Sequence, residues 1–545
     1  MKVLPGKNPK LLQQWSLSLT SMSSYQKKLI ALILVTTIVR LIFSATTELG
    51  NVEVYYWSWS VKPQWSYFDH PPMVAWMISL TTLGQLLVNE VTVRLGCVIA
   101  AALGTWLTFC IGKQIKDEQA GWFAALLYTC CIYTSTGAGI FVLPDSPQIV
   151  FWLWSLLLLL QQSTTDQASR RSKLYWLLFG LTAGMCMMSK VHGVFLWIGI
   201  IIYWLVNDRR QFKNPYVYLA AFISLAVISP IIIWNIQHQW LTWKLQGNRF
   251  NVAGQPVQIG HFFRQFLEVI FTIGPIPFFL VWKSIVIHLR RKNYEAAKQI
   301  QLLLFCSLPM IVILLVISVF KEVYPHWPAP AYAALLVLPA LDLAENTLDK
   351  DLFMPKVLKW GLIYGFALIV FQPLYTNYYP GTSSAEKGGF KTGTGDETID
   401  MVGWDEAGRQ YARLYRDGIK NKTVLPGTPI IIGAWIPGAA TEFYLARKTG
   451  QEVWGVGTVD SLHQYYFANE GKRPLKAGDD AYYIFTSNHF DGAMIDFLNF
   501  HFTTVKSVLM IPVYRSGSLC KQVYIFRVKG YHSVPFMVHQ NQPRG

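Results

Sequence analysis

The segment NVEVYYWSWSVKPQWSYFDHPPMVAW, residues 51–76, contains two carboxylates and a histidine in very apolar surroundings. Glu53, Asp69 and His70 stand there among tyrosines and tryptophans, just after a hydrophobic stretch that is long enough to cross a membrane. A carboxylate can take a proton from a hydroxyl, and an imidazole can carry a proton or hold an anion. Charges are costly near a lipid bilayer, so this pattern favours a functional role over packing.

Other acids and bases occur in short polar sequences between hydrophobic segments. They are Asp145 in FVLPDSPQIVFW, Lys190 and His192 in MSKVHGVF, Lys244 and Arg249 in WKLQGNRF, and Lys321, Glu322 and His326 in FKEVYPHWPAP. Two structural interpretations compete with function. Lysines and arginines near the ends of spans often only reach the lipid headgroups, and Asp145 could cap the helix that comes after it.

The composition of the whole chain is that of an integral membrane protein. Of its 545 residues 52% are hydrophobic and 14% are charged, and the mean hydropathy is +0.30. Part of the net charge of +16 comes from short basic runs between hydrophobic segments: Lys27-Lys28, Arg170-Arg171, Arg209-Arg210 and Arg290-Arg291-Lys292. Such runs fix membrane topology at a cytoplasmic face, so they do not indicate nucleic-acid binding.

Eleven segments are candidate membrane spans. They are residues 29–45, 92–112, 121–141, 147–161, 175–189, 191–206, 217–235, 265–287, 300–320, 328–345 and 357–376. Residues 73–88 are also apolar, but a crossing there would move most of the later lysines and arginines to the outer face. We therefore expect 73–88 to lie flat on the outer surface or to form a re-entrant element.

The stretch 175–206 would be about 48 Å long as one helix at ~1.5 Å per residue, too long for a hydrocarbon core of ~30 Å. Two short spans that meet near SKVHG are expected instead. The outer segments are then residues 46–91, about 142–146, 190–193, 236–264, 321–327 and everything after 376. All the polar groups described above fall on this outer face, which predicts a site for an anionic substrate carried by the membrane.

The chain after residue 376 is more polar and is expected to form an α/β domain, so we predict a membrane domain, 1–376, and an extracytoplasmic domain, 377–545. The sequences TPIIIGAWI, DAYYIFTS, VKSVLMIPVY and KQVYIFRV predict strands. The sequences WDEAGRQYARLYRDGIKN, GAATEFYLAR and GAMIDFLNF predict helices. This part has neither a GxGxxG motif nor a P-loop, so a nucleotide is not expected.

The sequences ELGNVEVYYWSW, YFDHPPMVAW, LPDSPQIVFW, SKVHGVFLW and YPHWPAPAY together resemble bacterial members of glycosyltransferase family 39. This family includes protein O-mannosyltransferases and the aminoarabinose transferases of lipid A. The first-loop motif with DHPP is the most specific part of a resemblance that covers most of the chain. It implies the GT-C fold of a polytopic α-helical membrane protein: about eleven transmembrane helices, a catalytic outer loop, here 46–91, and an extracytoplasmic α/β domain.

The resemblance also implies a reaction. The family's donors are polyprenyl-phosphate sugars, and in an inverting transfer an acceptor hydroxyl attacks the anomeric carbon while a carboxylate takes its proton. Cationic side chains stabilise the departing phosphate and can hold it without a metal, although a divalent metal stays an open alternative. Expected partners are the donor, membrane lipids and an acceptor that is a lipid, a glycan or a protein.

By this resemblance the candidate catalytic residues are Glu53, Asp69 and Asp145. The family's first loop reads Asp-Glu ahead of an aromatic pair, whereas this chain has Val52-Glu53. Three explanations stay open: Glu53 acts as the base, Asp69 or Asp145 does so, or the chain is inactive. The candidate substrate-binding residues are His70, Tyr55, Tyr56, Lys190, Arg249 and His326.

The sequence leaves three classes of function. The leading one is a polyprenyl-phosphate-dependent glycosyltransferase that works outside the cytoplasm, in a bacterial inner membrane. A transporter or flippase of lipid-linked sugars is less favoured, because the spans show no clear internal repeat and few charges at their centres. A catalytically impaired homologue that only binds the donor is the third, and Val52 is the reason to keep it.

Overall fold

The computed structural model describes residues 22–290, 297–347 and 353–532, so Arg291 and Lys292 of the predicted basic runs lie outside it. A helical part comes first in the chain. Its helices of seven or more residues are α1 Ser24–Thr46, α2 Asn51–Val61, α3 Met73–Thr81, α4 Glu90–Ile115, α5 Glu118–Cys130, α6 Asp145–Thr164, α7 Arg170–Ser189, α8 Val194–Asn207, α9 Pro215–Gln237, α10 Leu241–Phe250, α11 Ile259–Ile273, α12 Pro275–Arg290, α13 Ala297–Ser318, α14 Ala329–Leu335, α15 Val337–Asn346 and α16 Lys356–Tyr378.

Five helices of the described residues are long and apolar enough to cross a membrane: α1, α4, α9, α13 and α16. Two bent pairs of helices raise the number to seven if each pair forms one span. The prediction of eleven spans is thus not matched by this measure. The remaining predicted spans are helical, but several are short or polar; α8, for example, has only 14 residues. The predicted polytopic helical architecture is confirmed.

The predicted span at 265–287 is helical but sharply bent. Two helices, α11 and α12, meet there at 106°. Gly274 lies between them with φ +98°, a conformation that side chains other than glycine rarely adopt, and Pro275 comes next with no backbone N–H to donate. This Gly-Pro pair ends one helix and starts the next in a new direction.

The expected break near SKVHG is confirmed. Helix α7 ends at Ser189, Lys190 is extended with φ −159° and ψ 139°, and α8 begins at Val194 after one 3-10 turn. The predicted span 121–141 also breaks, because α5 and residues Tyr133–Ile140 form an angle of 75°. Both breaks bring polar side chains to the same end of the helices.

Residues 73–88 form the nine-residue helix α3 and a tight turn. Nine residues are about half of what a membrane span needs, which agrees with the expectation that this segment does not cross. The turn contains Leu83, Gly84 and Gln85, all with positive φ. Leu80 and Leu86 are 75% and 82% exposed, so this segment presents a strongly apolar surface.

The C-terminal part forms an α/β domain around one five-stranded sheet. Its strands are β1 Ile430–Ile432, β2 Val453–Gly455, β3 Ala481–Thr486, β4 Phe502–Arg515 and β5 Ser518–Tyr531, in the order β2-β1-β3-β5-β4. β1 pairs in parallel with β2 and β3, and β5 pairs antiparallel with β3 and β4. The four predicted strands are present; the three-residue β2 was missed.

Helices flank this sheet where the sequence predicted them. Those of seven or more residues are α17 Trp404–Lys420, α18 Trp435–Thr441 and α19 Gly492–His501. α17 is strongly amphipathic and buries Trp404 and Tyr411 against the sheet side of the domain. Shorter helices at Arg447–Thr449, Val459–Leu462 and Gln464–Ala468 complete the domain.

The two parts of the chain share a hydrophobic core. Trp57 of α2 packs edge to face on Phe443, with ring centroids 4.7 Å apart. The backbone N–H of Leu49 donates to the hydroxyl of Tyr444 at 2.7 Å, and Glu48 accepts from two backbone N–H groups at the start of α17. The first outer loop therefore lies between the helical part and the α/β domain.

Candidate active site

A buried ion pair stands at the centre of the candidate site. Lys190 Nζ lies 2.9 Å from both carboxylate oxygens of Asp145, and the two side chains are 2% and 1% exposed. Asp145 begins α6, and among the described residues its carboxylate accepts from Lys190 and from no backbone N–H of the helix, so it is not there as a helix cap. The hydroxyl of Tyr133 lies next to the Asp145 carboxylate, because the break after α5 turns that residue inward.

Two histidines lie close to this pair. His326 and His192 both experience the charges of Lys190 and Asp145. The His192 ring packs 5.5 Å from Trp327 and 5.9 Å from Phe250, and neither of its nitrogens has a hydrogen-bond partner among the described residues. Leaving two buried ring nitrogens unpaired is costly, which marks a place for a polar ligand.

The first outer loop and α10 add further groups to the same place. Arg249 of α10 experiences the charge of Lys190, and His70 experiences the charges of both cations. Tyr56 packs 6.2 Å from the His70 ring and is close enough to Asp145 to be affected by its charge. The predicted convergence of outer segments is thus seen for these residues.

His70 is held neutral by this environment. Burial lowers the pKa of His70 to about 3, and the positive charge of Lys190 contributes to the shift. Its Nδ1 has no hydrogen-bond partner in the described part of the chain. A neutral imidazole beside two cations can donate one hydrogen bond to an anion without adding a charge that would need burial.

Asp69 faces away from this group, toward the α/β domain. Its Oδ1 lies 3.1 Å from Nδ1 of His463, and its Oδ2 accepts a hydrogen bond from the hydroxyl of Tyr55. Burial alone would raise the pKa of Asp69, but the hydrogen bond and charge of His463, with the Tyr55 hydroxyl, hold it below its ordinary value. Asp69 is therefore a carboxylate with partners on both oxygens.

Glu53 is saturated by structural contacts. Its oxygens accept from Arg94 at 2.8 and 2.6 Å, from the Gly50 N–H at 2.9 Å and from the Val142 N–H at 3.2 Å. A carboxylate has room for about four hydrogen bonds. Glu53 therefore has no acceptor position left for a substrate proton, and we assign it a positioning role.

The sequence reasoning missed Arg94 and His463. Arg94 could have been noticed, because it is a lone cation inside a predicted span and such residues need a partner. His463 stands in SLHQYYF, where nothing in the sequence singles it out. Lys244, the weakest of the cations considered, is exposed on α10, which suits a side chain that reaches headgroups.

No group of three or more His, Cys, Asp or Glu residues that could hold a metal occurs in the described ranges. An open apolar groove of about 460 Å³ lies on the first outer loop itself. It is lined by Pro63, Trp76, Ser79, Leu80, Leu83 and Gly84. Its surface suits a hydrocarbon chain better than a sugar.

The sequence of residues 69–234 matches the family described as dolichyl-phosphate-mannose-protein mannosyltransferase. The chain is 25% identical over 302 residues to the lipid A galacturonosyltransferase RgtD of Rhizobium johnstonii, covering 55% of this chain and 62% of that protein. It is 31% identical over 172 residues to the undecaprenyl phosphate-alpha-4-amino-4-deoxy-L-arabinose arabinosyl transferase of Pseudomonas paraeruginosa, covering 30% of each. The matches thus span less than two thirds of these relatives.

Among solved structures, ArnT from Cupriavidus metallidurans is similar over nearly the whole chain. In the apo state it has a TM-score of 0.63 and 14% identity, covering 92% of this chain and 98% of ArnT. The same protein bound to undecaprenyl phosphate has a TM-score of 0.63 and 13% identity, covering 91% and 97%. These comparisons confirm the GT-C fold and the resemblance to glycosyltransferase family 39.

Proposed function

We propose that this relative of family 39 glycosyltransferases is a membrane enzyme that moves a sugar from a polyprenyl-phosphate donor to an acceptor hydroxyl. The observation that carries the proposal is the buried Asp145–Lys190 pair, together with Arg249, His70 and histidine nitrogens that have no partner among the described residues. A buried cluster with surplus hydrogen-bond donors is built for an anion. The named relatives act on undecaprenyl-phosphate sugars or on lipid A, which supports this class of substrate.

The proposed site holds the donor phosphate with cations. Lys190 has three donor hydrogens and uses two on Asp145 among the described residues, which leaves one for a phosphate oxygen. Arg249 adds a second positive charge. In the transfer the bond between the anomeric carbon and the phosphate oxygen breaks, and negative charge that builds up on the phosphate is stabilised by these cations.

Asp145 has a supporting role in this proposal. A lysine buried without a partner would lose its proton, because burial disfavours the charged form. The Asp145 carboxylate keeps Lys190 charged and fixes its position. Tyr55 and Tyr56 form a wall of the site on α2, where aromatic rings can pack on a sugar.

The arrangement of the outer segments suggests where the reaction takes place. We propose that the site opens on the extracytoplasmic side of a bacterial inner membrane and that the domain 377–545 lies on the same side. The basic loops lie at the opposite ends of the helices in this topology. The apolar groove beside α3 would receive a lipid chain of the donor or of a lipid acceptor.

A turnover assay tests this function. The full-length chain, reconstituted in liposomes, is given undecaprenyl phosphate carrying a labelled hexose, aminopentose or uronic acid, together with lipid A or a glycan as acceptor. We expect labelled acceptor and free undecaprenyl phosphate in equal amounts. Failure to bind any of these donors would rule out the proposal.

The valine at position 52 favours a second candidate, a homologue that binds the donor without turnover. Val52 is 39% exposed on α2 and cannot accept a proton. Under this candidate the donor binds with micromolar or better affinity, yet no labelled acceptor forms with the wild-type chain, while Val52→Asp gains activity. Turnover by the wild-type chain would exclude it.

A further inference from the structure

The α/β domain places a histidine against the first outer loop. Nδ1 of His463 lies 3.1 Å from Oδ1 of Asp69. Its ring stacks on Trp435 at 5.5 Å and packs on Phe68 at 5.4 Å, and the side chain is 23% exposed. The ring is thus fixed in orientation and still reachable from solvent or substrate.

The backbone at this histidine is strained. His463 has φ 50° and ψ −126°, which a residue with a side chain rarely adopts. The next residue holds the same loop, because the N–H of Gln464 donates to Tyr55 at 3.0 Å and its Oε1 accepts from the N–H of Phe68 at 2.9 Å. Strain of this kind persists only where surrounding contacts enforce it, and it is concentrated at functional sites.

The partners of the three candidate carboxylates differ in one chemical property. Glu53 is paired with Arg94 and Asp145 with Lys190. Arginine and a lysine held charged by a carboxylate are donors only, whereas a neutral imidazole has one nitrogen that accepts. Of these three pairs, only Asp69–His463 contains a partner with a ring nitrogen that can accept a proton.

We propose that His463, oriented by Asp69, is the general base that activates the acceptor hydroxyl; this rests on the transferase function proposed above. Asp69 fixes the tautomer in which Nδ1 carries the hydrogen, which leaves Nε2 as the acceptor. Nε2 has no hydrogen bond in the described part of the chain. The α/β domain then supplies a catalytic residue that the helical part lacks.

The proton and the bonds balance in this step. The acceptor O–H gives its proton to Nε2 of His463, and its oxygen forms the new bond to the anomeric carbon. The bond from that carbon to the phosphate oxygen breaks, and its electron pair stays on the polyprenyl phosphate beside Lys190 and Arg249. His463 then releases the proton to solvent.

The Asp69–His70 dipeptide connects the two halves of this arrangement. Asp69 contacts His463 on the side of the α/β domain, and His70 faces Lys190 and Arg249 on the side of the helices. Inversion requires the nucleophile and the leaving group on opposite faces of the sugar. A sugar beside this dipeptide would have the base on one face and the cations on the other.

The neighbouring elements place two titratable groups and two apolar rings around His463. Asp69 in the outer loop and Tyr55 on α2 are the titratable groups that contact it, at 3.1 Å and at a ring distance of 6.2 Å. Trp435 and Phe68 cover the ring with apolar surface. Asp69 is therefore the charged group that decides its tautomer.

The test is chemical rescue in the full-length chain. We expect His463→Ala to lower kcat at least 100-fold, the usual worth of a general base, and to leave the affinity for undecaprenyl phosphate unchanged. Imidazole added to the assay should restore part of the activity, because it can fill the vacated space and take the proton. His463→Gln should be equally slow, and its residual rate should no longer fall on acidification, because glutamine has no ring nitrogen to protonate.

His489→Ala is the matched control. His489 also belongs to the α/β domain and contacts a carboxylate, Asp400 at 2.8 Å, which in turn accepts from Asn51 of α2. This variant should show little loss of kcat and no response to imidazole. Normal turnover by His463→Ala, or a loss that imidazole cannot restore, would overturn the assignment of the base. Absence of turnover by the wild-type chain would overturn the transferase function and the base together.

Discussion

The pairs Glu53–Arg94 and Asp145–Lys190 are both almost fully buried, and both join an outer segment to a helix of the bundle. In the first pair the guanidinium of Arg94 also donates to Thr47 O at 2.9 Å, Thr47 Oγ1 at 3.0 Å and the carbonyl oxygen of Glu48 at 2.9 Å. In the second pair the side-chain hydrogen bonds of Lys190 among the described residues go to Asp145 alone.

This difference shows how a buried ion pair with a purely structural role can be distinguished from one that can bind a ligand. A saturated pair has no capacity for a ligand, so its value lies in the position of the backbone that it fixes. A pair with a spare donor retains capacity for an anion when it lies near His192, whose two ring nitrogens have no partner in the part of the chain that the structure describes. We therefore call Glu53–Arg94 the closed pair and Asp145–Lys190 the open pair.

The largest effect is expected from breaking the closed pair. Arg94→Met leaves the Glu53 carboxylate buried without its cation, which costs about 3–5 kcal/mol of the free energy of unfolding. The denaturation midpoint in detergent measures this loss. Adding Glu53→Gln should recover much of it, because the amide does not need a counter-charge. Equal stability of Arg94→Met and the wild-type chain would mean that the pair is not closed.

Breaking the open pair should instead affect catalysis. Lys190→Met removes a donor to the leaving phosphate, and we expect turnover to fall ~100- to 1,000-fold, or about 3–4 kcal/mol in the barrier. The matched control is Lys244→Met, since Lys244 is exposed on the neighbouring α10 and should lose less than threefold. If both variants lose activity equally, the spare donor of Lys190 has no special role.

The sequence predicted the open pair better than the closed one. Asp145 and Lys190 stand at breaks between hydrophobic segments, and the positive-inside rule puts both breaks on one face, so their meeting could be foreseen. The saturation of Glu53 could not, because it depends on backbone N–H groups and on the direction of one arginine. The Gly274 corner was hidden for a similar reason, since one backbone angle decides it.

The contact of His463 with Asp69 lies further beyond sequence reasoning. It joins residues that are far apart in the chain, through a domain whose strands were predictable but whose docking was not. The content of β-branched and aromatic residues predicts β3, β4 and β5 well, even though β3 is buried along its whole length and shows no alternation. Nothing in such local patterns states which loop of the domain meets the membrane part.

Because Lys190 of the open pair lies near His70, we also expect the stability of the chain to depend on pH through His70. In the folded chain burial and Lys190 hold the pKa of His70 at about 3, below the ordinary 6.5. The unfolded chain therefore binds a proton first as the pH falls, and stability is lost between pH 6.5 and about 3. From pH 7 to pH 5 this amounts to about 2 kcal/mol, and His70→Gln should remove that part of the decline. An unchanged pH profile of the denaturation midpoint in His70→Gln would contradict it.

The smallest effect should come from a change at Glu48. Its backbone carbonyl accepts a hydrogen bond from Arg94 of the closed pair, and its side chain reaches the α/β domain. Its carboxylate accepts from the N–H groups of Trp404 and Asp405 at 2.8 and 2.9 Å, where α17 begins. Glu48→Gln keeps only one good acceptor, so we expect a loss of about 1 kcal/mol in stability. Exposed Glu406→Gln, on the same helix, should cost less than about 0.5 kcal/mol. Glu48 holds the start of α17 and so helps to fix the domain that carries His463. Glu48→Gln should therefore lower turnover slightly, whereas Glu406→Gln should not. A larger loss of turnover in Glu406→Gln than in Glu48→Gln would mean that the contact of Glu48 with α17 does not affect catalysis.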